Sequence, residues 1–506
     1  MKLKNTITGT LAATMLLFLT ACSDESKLLD AVKAGNAEEV KQLLQESDID
    51  VNHRDESGNT ALHNAVKKNQ IEVVKQLLAH KNISINAKNK REKTPLYIAI
   101  EHRHTECARL LLEHGATIVT PGERESYYSL DSVYEMIYGS DPNVIISKAA
   151  YAGNYEIIIY ALENGADPVI ALESAVKSGN INIVKFILLK GVAPNTGIWY
   201  AAYHGQEEII NYLLEQGADI NLALQGAAQK GNLELVNLML IKGADPHTGL
   251  IGAAYGGATE VLKSLLIMPR IDVNKGNEVG NTALIGAARK GHSECMKVLL
   301  KTHGIDVNKA NSQGYTPLSR AAFEGHTECV KLLLAAQGID VNKVNVANSS
   351  ALYWAAKGGH TECVKLLLAA PGIDINLANK FGETPLYWAV KNNHAECIKL
   401  LLAAPGINVH AATVDGKTPL AIAAEKGYAE TVQLLLDTPG IDVNATDNQS
   451  MTPLCIAVKE GHLECVELLL TAPGVDVNKA DNNGRTPLFW SRAYSVTNRL
   501  KEKGAQ

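Results

Sequence analysis

The sequence predicts an all-α repeat solenoid with two periods, and three observations carry that prediction. Thr-Pro-Leu recurs at Thr316, Thr384, Thr418, Thr452 and Thr486, with Thr282-Ala283-Leu284 and Ser350-Ala351-Leu352 in the remaining slots, a step of 34 residues. A glycine keeps the same rhythm at Gly291, Gly325, Gly359, Gly427 and Gly461, with Asn393 in the sixth slot. Upstream, Gly153, Gly179, Gly205, Gly231 and Gly257 step by 26 instead. A fixed period overrides the domain count that a length of 506 residues would otherwise suggest. Composition agrees: 46% hydrophobic and 20% charged residues fit a folding chain, while 5% aromatics and 40 glycines fit a small, aliphatic core with many turns. A net charge of −6 with no long basic run argues against binding a nucleic-acid backbone. Eight cysteines are too few for a disulfide scaffold at this length.

In chain order, the first element is a leader. Lys2 and Lys4 precede an apolar stretch from Ile7 to Ala21, followed by Cys22 and Ser23-Asp24-Glu25. The stretch falls short of the ~20 residues that span a bilayer and has the layout of a secretory signal. Leu19-Thr20-Ala21-Cys22 resembles the lipobox of bacterial lipoproteins. The resemblance implies removal of residues 1–21, acylation of Cys22, and a tether over 22–26. Ser23, where Asp would signal retention at the inner membrane, implies an outer-membrane lipoprotein facing the periplasm. No later segment has 18 consecutive apolar residues.

Each 34-residue unit reads as two short helices. Thr is a good N-cap, and Pro fits the first turn, where its missing N–H costs nothing. Leu386, Ala389 and Val390 lie at i, i+3 and i+4, one apolar stripe. The loop Gly permits a left-handed residue before a second helix such as His360 to Leu368, which Pro371-Gly372 ends. One helix pair leaves an apolar face uncovered, so neighbours must stack. The pattern resembles the ankyrin repeat, whose T-P-L-H-x-A-A and G-H-x-x-x-V-x-L-L-L signatures stand here with few changes. The resemblance covers essentially the whole mature chain, roughly 15 units. It implies an ankyrin-type helix-turn-helix stack with β-hairpin fingers between units. The 26-residue units lack the connecting turn and Thr-Pro-Leu, so the expectation is a fingerless middle over 144–274. Fingered segments flank it at 27–115 and 275–506. That loss is either degenerate drift or functional. Between the two N-terminal segments, 116–143 forms an insertion with Tyr127, Tyr128, Tyr134 and Tyr138. It is either a degenerate helical unit, for which Val133, Met136 and Ile137 supply an apolar face, or an exposed loop.

Residues that could carry chemistry fall into the repeat. Cys107, Cys295, Cys329, Cys363, Cys397 and Cys465 share one second-helix slot. Packed helices lie about 8–10 Å apart, too far for disulfides between adjacent rungs or for a shared zinc. They read as small buried hydrophobes. Cys455 and Cys465, on the two helices of one unit, are the one candidate disulfide. His292, His326, His360, His394 and His462 follow the loop residue and read as capping and inter-unit hydrogen-bonding groups. Gly416-Lys417-Thr418 mimics the end of a phosphate loop, but Ala411 stands where its first Gly must be. No catalytic motif appears, and the expectation is a non-enzyme without cofactor, metal, nucleic acid or small-molecule substrate.

The candidate site is therefore a surface. Trp199, Trp354, Trp388 and Trp490 share one first-helix slot, either filling gaps between helices or forming an aromatic stripe for a partner. The pair before each loop Gly resembles the variable contact positions of ankyrin binders. The candidates are Tyr151, Tyr203, His204 and Tyr255, then Arg289, Lys290, Phe323, Lys357 and Lys391, with Trp354 and Trp388 beside them. What the resemblance implies is a membrane-anchored scaffold that binds a protein partner through the concave helix face. The alternative is an immunity-like inhibitor of a toxic enzyme delivered to the periplasm.

Overall fold

The computed structural model describes residues 26–46, 49–117, 139 and 141–506. The leader, Cys22 and the tyrosines at 127, 128, 134 and 138 lie outside the described residues. Those residues are all-helical, with no strand and one isolated bridge, Arg54 to Thr60. The chain divides into two compact units, at residues 219 and 220. The division falls inside the 144–274 segment.

In the first unit, Ala61–Lys67 and Ile71–Leu78, then Pro95–Glu101 and Thr105–Glu113, form helix pairs. Thr60 and Thr94 cap the first helices by accepting the N–H of His63 and Tyr97. Asn69 and Arg103 hold the left-handed loop position that glycine fills elsewhere. From residue 141 the pattern changes. The first helices lengthen to Pro142–Ala152 and Pro168–Ser178, and only residues 164–167 separate Tyr155–Glu163 from the next helix. The cap changes too: Asp141 and Asp167 accept the N–H two residues on, with Pro at the first helical position.

The second unit repeats both layouts. Ile220–Lys230 and Pro246–Gly256 are long first helices, the second capped by Asp245. From Ala283 onward the first helices shorten, as in Pro317–Glu324 and Pro385–Lys391, and long connections such as 301–316 separate the pairs. First helices pack on first helices of the next repeat, and second on second. The core is Leu, Ala, Val and Ile, as at Leu318, Ala321, Ala322, Val330 and Leu333, all essentially buried.

The connections expected as β-hairpins are closed turns. In 311–315 the Asn311 side chain accepts the N–H groups of Gln313 and Tyr315 at 3.1 and 2.9 Å. Asn345 and Asn379 do the same in the next two. Backbone donors that would build a ladder are thus spent on a buried amide. Each tip then gives one N–H to its neighbour: Ser312 to Val279, Val346 to Gln313, Lys380 to Ala347 and Val414 to Phe381, at 2.9–3.1 Å.

Candidate functional site

In the second unit, two residues that precede a Thr cap, Glu383 and Lys417, reach the last turn of the first helix that follows. Glu383 and Lys391 pair there, 3.9 Å apart. Lys417 and Glu425 pair in the next repeat with the charges reversed. Between the closed turns and the first helices of the C-terminal repeats runs a groove. One hollow of about 520 Å³ is lined by Asp415, Glu425, Asn448, Gln449, Ile456 and Lys459 among others.

In the repeats upstream, five of the expected site residues meet. Phe323 packs edge-on against Trp354 at 5.0 Å, and Tyr353 packs edge-on against Trp388 at 6.1 Å. Lys357 lies between the two indoles, its Nζ 5.1 Å from the ring centre of Trp354 and 3.9 Å from that of Trp388. Lys391 lies 4.4 Å from the Trp388 ring. The Trp388 indole N–H donates to Glu383 Oε2 at 3.1 Å, an oxygen that also accepts from Asn379 at 2.7 Å. Trp354 has no such partner for its buried Nε1. Trp354 and Trp388 are each half-buried.

Three contributors were not singled out in the sequence. Arg320 fills the tryptophan slot of its repeat and stacks on Tyr315, 3.7 Å from the ring centre. Tyr315 in turn meets Trp354 at 5.7 Å. Glu383 and Tyr315 occupy one finger-base slot, which reads Asn281, Tyr315, Ser349, Glu383, Lys417, Met451, Arg485 along the chain. Variation in one slot amid strict periodicity is the signal that marks it.

Burial shapes the charges. It lowers the Lys357 amine from its usual range, with Lys391 adding to that effect and Glu383 opposing it. It also lowers the Arg320 guanidinium. Tyr353 and Tyr387 are pushed up to about 12, by burial first and then by the Glu383 carboxylate.

The other expected residues stand apart from this cluster. Lys290 lies 4.7 Å over the Tyr255 ring, and Arg289 reaches Glu324 at 3.9 Å. In the first unit, Tyr203 stacks on Trp199 at 5.1 Å, with His204 edge-on to it, and Tyr151 is 61% exposed.

The histidines bind neighbours. Nε2–H of His292, His326, His360, His394 and His462 each donates to a carbonyl of the preceding repeat, at 2.9–3.2 Å. Cys107, Cys295, Cys329, Cys363, Cys397, Cys455 and Cys465 are buried free thiols, so the candidate bridge between Cys455 and Cys465 is not formed. Burial pushes Cys107, Cys329 and Cys465 up to about 11. Among the described residues no group of three or more His, Cys, Asp or Glu is placed to hold a metal ion. No helix among them is long and apolar enough to cross a membrane.

Comparison with known proteins adds the family. A model described as ankyrin repeats (3 copies) matches residues 28–121, 172–249, 250–345 and 352–447, and one described as ankyrin repeats (many copies) matches 435–488. A search of curated proteins gives no match. Among solved structures, the ankyrin repeat domain of Bcl-3, a unique member of the IkappaB protein family, is 28% identical over 44% of this chain and 100% of its own, with a TM-score of 0.41. The human ASB11 ankyrin repeat domain is 28% identical over 45% and 99%, with a TM-score of 0.39. The ankyrin repeat protein EF0377 is 28% identical over 38% and 98%, with a TM-score of 0.36. With Thr-capped helix pairs, left-handed loops and family matches along most of its length, the chain belongs to the ankyrin repeat family, whose members generally mediate protein–protein interaction.

Proposed function

We propose that this protein is a lipid-anchored scaffold of the bacterial envelope that grips a protein partner in the groove between its fingers and first helices. One observation carries the binding half: Phe323, Trp354, Lys357, Trp388 and Lys391 converge on one stretch of groove. Tryptophan is among the residues that dominate binding energy at protein interfaces. An open groove of this kind suits a polypeptide better than an enclosed small molecule. The anchoring half rests on Leu19-Thr20-Ala21-Cys22 behind a short apolar leader, with Ser23 favouring the outer membrane and a periplasm-facing array. A multiply acylated cysteine supplies the two chains that firm anchoring needs.

The test is a pull-down from envelope extracts with the full chain, beside a Phe323→Ala, Lys357→Ala, Lys391→Ala variant and a Cys22→Ser variant. One partner in stoichiometric amount, lost from the triple variant, is the expected result, with the Cys22→Ser form leaving the membrane fraction. Equal recovery by the triple variant places binding elsewhere, and a membrane-bound Cys22→Ser form removes the lipid anchor. The partner's own activity separates the two roles: an enzyme silenced on binding makes the protein an inhibitor rather than a scaffold.

A further inference from the structure

We propose that the groove at Arg320 and Lys357 takes an extended, acidic segment of its partner, one carboxylate per repeat; this rests on the reading of the groove as the partner surface. The finger-base slot supplies the argument. Lys391 has Glu383 on its own rung, and Glu425 has Lys417. Lys357 has Ser349 in that slot, and among the described residues no carboxylate lies within ion-pair distance of it. Arg320, one rung earlier, is likewise without an ion pair, and its buried Nε has no hydrogen-bond partner. Two adjacent rungs thus present half-buried cations that rest on aromatic rings with no acid in direct contact, while Glu324 and Glu383 act on them from further off. A carboxylate arriving there would meet positive charge in a partly desolvated site, where the attraction is stronger than in open water.

Geometry sets the form of the segment. Packed first helices lie about 10 Å apart, and a chain in the polyproline-II form rises about 3.1 Å per residue with three residues per turn, so every third side chain returns to the groove at the next rung. The aromatic floor argues against stacked bases as the occupant. Lys357 and Lys391 lie over the Trp388 indole, and Arg320 lies over Tyr315, so these rings already carry a cation.

The chain reports on itself, because Trp354 and Trp388 are two of its four tryptophans. The experiment follows tryptophan emission of the full chain on adding Asp-Leu-Ser repeated four times, its Asn and Lys counterparts, or oligothymidylate. The Asp peptide is expected to shift the emission, and its binding to weaken about tenfold or more between about 50 and 500 mM salt. An Arg320→Gln, Lys357→Gln variant with an unchanged melting curve should bind it at least about tenfold more weakly. Arg320→Glu with Lys357→Glu should transfer the preference to the Lys peptide. Equal binding of the Asn peptide, or preference for oligothymidylate, overturns the proposal. If the Asp peptide fails while the Phe323→Ala, Lys357→Ala, Lys391→Ala variant still loses the natural partner, the acidic segment is wrong and the groove stands. If neither responds, both readings fall.

Discussion

His63 is fully buried at the start of Ala61–Lys67, and both its ring nitrogens are committed. Nδ1 accepts the Thr60 N–H at 3.1 Å, closing a capping box, and Nε2–H donates to the Lys93 carbonyl of the next repeat at 3.1 Å. Only the neutral ring fits both roles, and burial accordingly holds the pKa below its ordinary value of 6.5. His292, packed against the loop of the preceding repeat, is lowered for the same reason. The sign follows: below about pH 6.5 the unfolded chain binds protons that the folded chain refuses. Stability is therefore full above that pH and is lost as pH falls through the folded-state values. Thermal melts at pH 7 and pH 5 should show the lower stability at pH 5. His63→Ser keeps a cap of the kind Ser319 makes with Thr316. It should cost about 2–4 kcal/mol at pH 7 for the lost ring, yet flatten the pH dependence. An undiminished pH slope in that variant would remove His63 from the account.

At the scale of elements, the long first helices of the 26-residue repeats pack by close approach. A Cβ on Gly256 would lie 2.0 Å from the Gln229 carbonyl oxygen, and one on Gly252 2.7 Å from that of Gln225. Alanine is the better helix former by about 1 kcal/mol, but here it must force Ile220–Lys230 and Pro246–Gly256 apart. Gly256→Ala should therefore destabilise by about 1–3 kcal/mol. Gly286→Ala, where the nearest atom is 3.6 Å from the added carbon, should be neutral or slightly stabilising. Urea unfolding of the two variants decides, and equal effects would mean that the approach at Gly256 relaxes freely. Such packing was not legible in the sequence. Thr caps, loop glycines and the shared cysteine slot announce themselves by recurring at one position per repeat. Gly252 and Gly256 do not, because what distinguishes them is a neighbour's carbonyl. The Asp-Pro starts at Asp141, Asp167 and Asp245 were legible in principle, as an N-cap followed by a first-turn proline. In the groove, the aromatic and lysine positions followed from the period, while Glu383, Arg320 and Tyr315 had to be placed by contacts made across repeats.

Across the whole molecule, repeats speak chiefly to their neighbours, so stability is a chain of local interfaces rather than one quantity. An amide ladder shows where those interfaces differ. The side chains of Asn274, Asn308, Asn342, Asn376 and Asn444 each donate to a glycine carbonyl one repeat on, at 2.7–2.8 Å. The same side chains accept a backbone N–H two residues beyond that glycine, at 2.8–2.9 Å. His410 occupies this slot once. It donates to Gly440 at 3.0 Å, and the Asp442 N–H receives no matching side-chain oxygen. A ring nitrogen that donates has no second oxygen to offer, so this rung holds one hydrogen bond fewer than those beside it. His410→Asn restores the missing acceptor and should strengthen the rung by about 0.5–1.5 kcal/mol. Native-state amide exchange should then slow in Pro385–Lys391, Ala395–Leu402, Pro419–Lys426 and Ala429–Leu436, while residues 26–219 keep their rates. Slowing spread evenly over both compact units would mean that the array opens as one cooperative body, and the nearest-neighbour description would have to be given up.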